Sequence, residues 1–228
     1  MTMKFDLSDI DDAYRKNDMR RKLQRFSRCN ISGLSPTNKD TSPHFFESRN
    51  ESNFALLFEF DSNIKFVKSQ PFSISYLDDE KKRLYTPDFS TIDCFGNVFV
   101  VEVKVEDAMN DETKRLHKLI GEAFKKLGFE FVVMTEKHLP SRTELSNLNM
   151  IMRNAHALGC VDDEVVNYLL DVLPRELSLQ SALEICDSLN LNRDLIFYFV
   201  FKEYVKMDVS SVICNETVIT SNIYKEAR

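Results

Sequence analysis

The chain has 228 residues, with 30 Lys and Arg against 36 Asp and Glu, for a net charge of −6 and a pI near 5.4. A hydrophobic fraction of 43 % with only 5 Gly and 6 Pro excludes collagen-like and Gly/Pro-rich disordered classes, and the length allows one or two domains with a buried core. Five scattered cysteines (Cys29, Cys94, Cys160, Cys186, Cys214) form no C-x-x-C pair, which argues against a disulfide framework or zinc cluster and fits a reducing cytoplasm. No apolar run reaches signal-peptide or membrane-span length, so a soluble intracellular protein with no membrane partner is expected.

Charge is unevenly spread. Between Ala13 and Lys39 eight cations (Arg15, Lys16, Arg20, Arg21, Lys22, Arg25, Arg28 and Lys39) meet the single acid Asp18. Residues 1–43 therefore read as a basic arm and linker, either a solvated tail or a segment that lies along phosphates. A helix is expected over Phe45–Phe60, where Phe46, Phe54, Leu57 and Phe58 recur at helical spacing and Glu47 and Glu51 share a face. Strands are expected at Asn63–Val67, Pro71–Leu77, Arg83–Ile92 and Asn97–Val105. Asp111–Leu127 reads as an amphipathic helix stopped by Gly128, and Phe129–Met134 as a buried strand. Residues 44–140 thus form an α/β domain with a mixed sheet flanked by helices.

From Ser141 the pattern turns helical, with helices expected at Ser141–Ala155, Val161–Leu173, Ser178–Leu189 and Asn192–Tyr204, then an alternating hairpin-like stretch over Val205–Thr220. Three helices followed by a hairpin is a winged-helix-like order, so residues 141–228 are expected to be a mainly helical C-terminal domain. It carries 8 basic against 13 acidic residues, a poorer match to phosphates than the arm and a better one to a protein partner.

The chemistry concentrates at Thr86-Pro87-Asp88-Phe89 and Val101-Glu102-Val103-Lys104. Glu102 and Lys104 lie two apart on an otherwise apolar strand, a costly placement unless the charges have a task. Asp88 and Glu102 suit oxygen-preferring Mg²⁺ or Mn²⁺, the Val103 carbonyl offers a further ligand, and Lys104 is able to orient or help deprotonate a water. Glu51 would complete the coordination, with Glu47 as the other candidate on the same helix. Gln70 is placed to orient a phosphate or water, and Lys114, with Arg115 and Lys118, to touch DNA or simply to form a solvated face. His44, His117, His138 and His156 have no metal-binding spacing and are expected to be structural.

The motif resembles the PD-(D/E)-x-K nuclease superfamily, with its restriction-endonuclease-like fold. Phe46-Glu47-Ser48-x-x-Glu51-Ser52-x-Phe54, Gln70-Pro71-Phe72-x-Ile74, Tyr85-Thr86-Pro87-Asp88-Phe89 and Val101-Glu102-Val103-Lys104 together are similar to the TnsA endonucleases of heteromeric cut-and-paste transposons. That resemblance implies a Mg²⁺-dependent DNA endonuclease that hydrolyses the 5′ ends of a transposon, with Glu51, Asp88, Glu102 and Lys104 as catalytic residues. The position of Glu102 varies among TnsA proteins. It also implies partners: double-stranded transposon-end DNA, a DDE transposase of the TnsB type and an AAA+ regulator of the TnsC type, in a bacterial cytoplasm and at the nucleoid when assembled. A restriction or repair nuclease of the same superfamily, acting without such partners, is the alternative.

Overall fold

The computed structural model describes residues 32–78 and 81–222, so the arm cations Arg15, Lys16, Arg20, Arg21, Lys22, Arg25 and Arg28 lie outside the described residues. The chain divides into two compact units that part between Leu139 and Pro140.

In the first unit, β1 (Gly33–Ser35) pairs antiparallel with β2 (His44–Phe46), and α1 (Arg49–Phe60) follows. The helix expected from Phe45 begins four residues later. Residues 44–46 are held in a strand ladder, and Ser48, in extended conformation, caps the helix by accepting from the Glu51 N–H. The main sheet has the order β3-β6-β7-β8 (Ile64–Ser69, Phe89–Asp93, Val98–Val103, Glu130–Met134). β6 runs antiparallel to both neighbours, whereas β8 is parallel to β7. Parallel pairing needs a crossover, and α2 (Asp111–Lys126) supplies it. Gly128, at φ 80°, takes the left-handed position that ends this helix. β4 (Ile74–Asp78) and β5 (Lys81–Tyr85) form a separate hairpin. The single strand expected over Arg83–Ile92 is therefore broken at residues 86–88. Pro87 has no N–H to give to a ladder, so the chain leaves the hairpin there and enters the main sheet at Phe89.

Each sheet face buries its own core. On one face Phe54, Ala55 and Phe58 of α1 pack on Val67, Phe89, Val101 and Val103. On the other, Ile120 and Phe124 of α2 pack on Val100, Phe72 and Ile74. Each fully buried Phe contributes about 1.5–3 kcal/mol. This clamping from both sides fixes β6 and β7, the strands that carry the charged residues.

The second unit contains α3 (Arg142–Ala157), α4 (Asp163–Val172), β9 (Glu176–Ser178), α5 (Leu179–Ser188), α6 (Asp194–Phe201), β10 (Val205–Met207) and β11 (Val218–Ser221). β11 lies between β10 and β9, antiparallel to both. Sequence reasoning missed β9 and began α6 two residues early. Ahead of α6 the Asn192 side chain accepts from the Asp194 N–H. The core joins Leu169, Ala182, Cys186, Ile196 and Phe199 to Ile219 of the sheet. α3 packs along α6, with the His156 and Phe201 rings 5.4 Å apart, and its buried Asn147 donates to the carbonyls of Val209 and Ser211 at 2.9 and 2.6 Å. No helix among the described residues is long and apolar enough to cross a membrane.

Candidate active site

The charged residues meet where β6 begins and β7 ends. The register Phe89↔Val101 sets Asp88, one residue before β6, beside Glu102. Asp88 is fixed by accepting the Val103 N–H on Oδ2 at 2.7 Å. Glu102 is 4 % exposed, yet both its oxygens are engaged: Oε2 accepts from the Tyr85 hydroxyl at 2.7 Å, and Oε1 accepts from Lys104 Nζ. Pairing Lys104 with a buried carboxylate answers the cost of placing charge in an apolar strand.

Glu51 comes from the first turn of α1 and is buried. Its Oε1 accepts from the Ser48 hydroxyl at 2.9 Å and its Oε2 from the Glu47 N–H at 2.7 Å, while its own N–H donates to Ser48 Oγ at 3.1 Å. The Ser48-x-x-Glu51 spacing is thus a capping arrangement that also turns a carboxylate toward the site. Glu47 itself precedes the helix and is only partly buried.

The electrostatics show that the three acids sense one another. Burial, followed by the charges of Glu102 and then Glu51, pushes the Asp88 carboxyl up to about 8, against the opposing pull of the Val103 N–H and Lys104. Without a cation, the cluster near neutral pH sheds negative charge by holding a proton on Asp88.

Gln70 borders the same place and donates its N–H to the Asp88 carbonyl at 2.8 Å. It is 2 % exposed, its φ is 45°, and neither polar atom of its side-chain amide has a hydrogen-bond partner among the described residues. Left-handed backbone on a non-glycine residue and an unpaired buried amide each cost about 1–3 kcal/mol. Lys114 is exposed on the first turn of α2. Three residues on, His117 faces the sheet, its ring 5.9 Å from that of Phe131. Burial holds its imidazole below the ordinary value, with Glu102 opposing and Lys104 adding to the effect, so the ring is neutral beside the charged pair. Sequence reasoning gave His117 no place near the site, and Tyr85 no role in it. The Tyr-x-Pro-Asp spacing is the one signal that pointed to the latter.

Among the described residues no group of three or more His, Cys, Asp and Glu side chains is gathered closely enough to hold a metal ion. The donor set nonetheless suits Mg²⁺, which is commonly bound through one or two carboxylates with waters and substrate phosphates completing its shell. Asp88 and Glu102 supply two such carboxylates, and the mutual repulsion that raises Asp88 is what a cation would relieve.

A mixed sheet flanked by helices fits an α/β nuclease-like fold. Residues 61–136 match the model of the family described as TnsA-like endonuclease N terminal. The first unit accordingly carries a TnsA-like DNA endonuclease domain, the kind found in transposition systems acting on DNA. The matched segment contains Gln70, Tyr85, Asp88, Glu102, Lys104 and His117, while Glu51 and α1 precede it. No curated protein matches the chain.

Proposed function

We propose that the protein is a metal-dependent endonuclease that hydrolyses the 5′ ends of a transposon in cut-and-paste transposition, acting with a TnsB-type DDE transposase and a TnsC-type AAA+ regulator in the bacterial cytoplasm and at the nucleoid. The observation that carries this reading is the buried Asp88, Glu102 and Lys104 cluster inside the segment that matches the endonuclease family. Asp88 and Glu102 would hold Mg²⁺, or Mn²⁺ in its place, with the Val103 carbonyl and Glu51 as further donors. When bound, the cation would supply charge neutralisation at the scissile phosphate and a more acidic water. Lys104, 34 % exposed at its side chain, orients that water or shares its proton load. Gln70, Lys114 and the arm cations from Arg15 to Arg28 contact the DNA.

The second unit supports a winged-helix-like reading, since from α4 onward it runs helix, strand, helix, helix, strand, strand with its three strands in one sheet. In such modules the last helix usually enters the major groove. Here that position belongs to α6, whose sequence DLIFYFVF is apolar and which packs along α3. Together with an excess of acids, this favours a protein partner over DNA for the unit.

The test is cleavage of transposon-end DNA with Mg²⁺, with and without the partners. Asp88→Ala and Lys104→Ala should each reduce 5′-strand cutting at least 100-fold while leaving the circular-dichroism spectrum unchanged. Undiminished cutting by either purified variant would sink the assignment.

A further inference from the structure

Glu102 has two restraints of different character. Lys104 is a flexible, partly exposed ammonium on a four-carbon stem, able to swing away where another cation takes over the charge of Glu102. Tyr85 is a rigid ring at the end of β5, in register with Ile74 of β4, and its ring stands edge-on to Phe131 of β8 with centroids 6.3 Å apart. The hairpin that carries it is clasped at its base by the hydroxyls of Ser73 and Thr86, 2.7 Å apart. Thr86 and Pro87 then lead directly to Asp88, so one short segment delivers both the phenol and the neighbouring carboxylate to Glu102.

A buried carboxylate whose two oxygens are equivalent has no preferred way to face a ligand. A hydroxyl donating to one of them removes that ambiguity, the role outer-shell groups play around metal-binding side chains. We propose that Tyr85 is a positioning residue: its hydroxyl holds Oε2 of Glu102 so that Oε1, shared with Lys104, is the oxygen offered to a divalent cation. Lys104 is then the exchangeable partner and Tyr85 the permanent one. The inference rests on the metal-dependent nuclease reading.

The experiment uses the full chain and Mn²⁺ as the probe. Calorimetric titration should show Mn²⁺ binding about ten- to a hundredfold weaker in Tyr85→Phe than in the parent, the scale of losing an outer-shell hydrogen bond to a charged ligand. In cleavage assays the half-saturating Mn²⁺ concentration should rise at least as much, while the rate at saturation falls less than threefold, a split that general loosening of the hairpin would not produce. Glu102→Gln, which keeps the side-chain shape, must weaken Mn²⁺ more than Tyr85→Phe does, because the carboxylate is the ligand and the phenol only its holder. If the parent binds Mn²⁺ and cuts DNA but Tyr85→Phe matches it in affinity, or outweighs Glu102→Gln, the positioning role is wrong and the nuclease reading stands. If the parent neither binds Mn²⁺ nor cuts, both fail.

Discussion

The protonation of Asp88 makes a pH dependence that is opposite in sign to that of most carboxylates. Its folded-state value, about 8, lies above the ordinary 3.8, so between roughly pH 4 and pH 8 the folded protein holds a proton that the unfolded chain releases. Stability from this group is therefore full at the acid end of that window, falls as pH rises through it and levels off above. At 1.36 kcal/mol per pH unit, the ionised carboxylate carries a handicap of at most ~6 kcal/mol. The perturbation is Asp88→Asn, which replaces the carboxyl with a neutral amide of the same shape. Urea unfolding in EDTA from pH 5 to pH 9, followed by far-ultraviolet circular dichroism, should show the parent losing about 3–5 kcal/mol and the variant less than half of that. Saturating Mg²⁺ should flatten the parent's curve, since a cation favours the ionised form, and should release close to one proton per ion bound near pH 7. Parallel curves for parent and variant in EDTA would refute the argument that buried carboxylate repulsion sits at this site.

Two further predictions concern a buried carboxylate away from the acidic cluster and a glutamine beside it. Glu59, buried at the end of α1, accepts from the Thr37 hydroxyl, from the Asn38 N–H at 3.0 Å and from His44 Nε2 at 3.3 Å, tying the segment before β2 to the helix. Burial pushes its carboxyl up, but those hydrogen bonds outweigh it and hold the group below its ordinary value, so its contribution is full above about pH 4.5 and is lost as pH falls further. Glu59→Ala should cost about 3 kcal/mol in urea unfolding at pH 7, and a change under 1 kcal/mol would contradict the network. Gln70→Gly removes both the left-handed strain and the unpaired amide and should raise stability by ~1–2 kcal/mol while lowering DNA cutting. A stabilised variant with full activity would show that the glutamine has no part in the site.

Much of the site was legible because its chemistry is local in sequence. Glu102 and Lys104 declare themselves as charges on an apolar strand, and Pro87 marks the point where Asp88 must leave one ladder and join another. What could not be read is whatever depends on a distant partner. β9 is three residues, Glu-Leu-Ser, with no periodicity to detect, and it is a strand only because Val218–Thr220 provides a ladder for it. His117 sits within the apolar stripe of α2, and helical spacing alone does not reveal that the sheet face beneath it carries Glu102. The start of α1 was misplaced because Phe45 and Phe46 extend the hydrophobic pattern, although their backbone pairs with Gly33 and Leu34.

The capping arrangement at Ser48 and Glu51 has a consequence for how the enzyme fails. Since the acid that faces Asp88 is also the residue that holds the first turn of α1 closed, fraying of that turn withdraws it from the cluster. Heat should therefore silence the site before it melts the molecule. The temperature at which cutting stops would lie below the midpoint of unfolding, and hydrogen exchange at the Glu51 and Ser52 amides would record the gap.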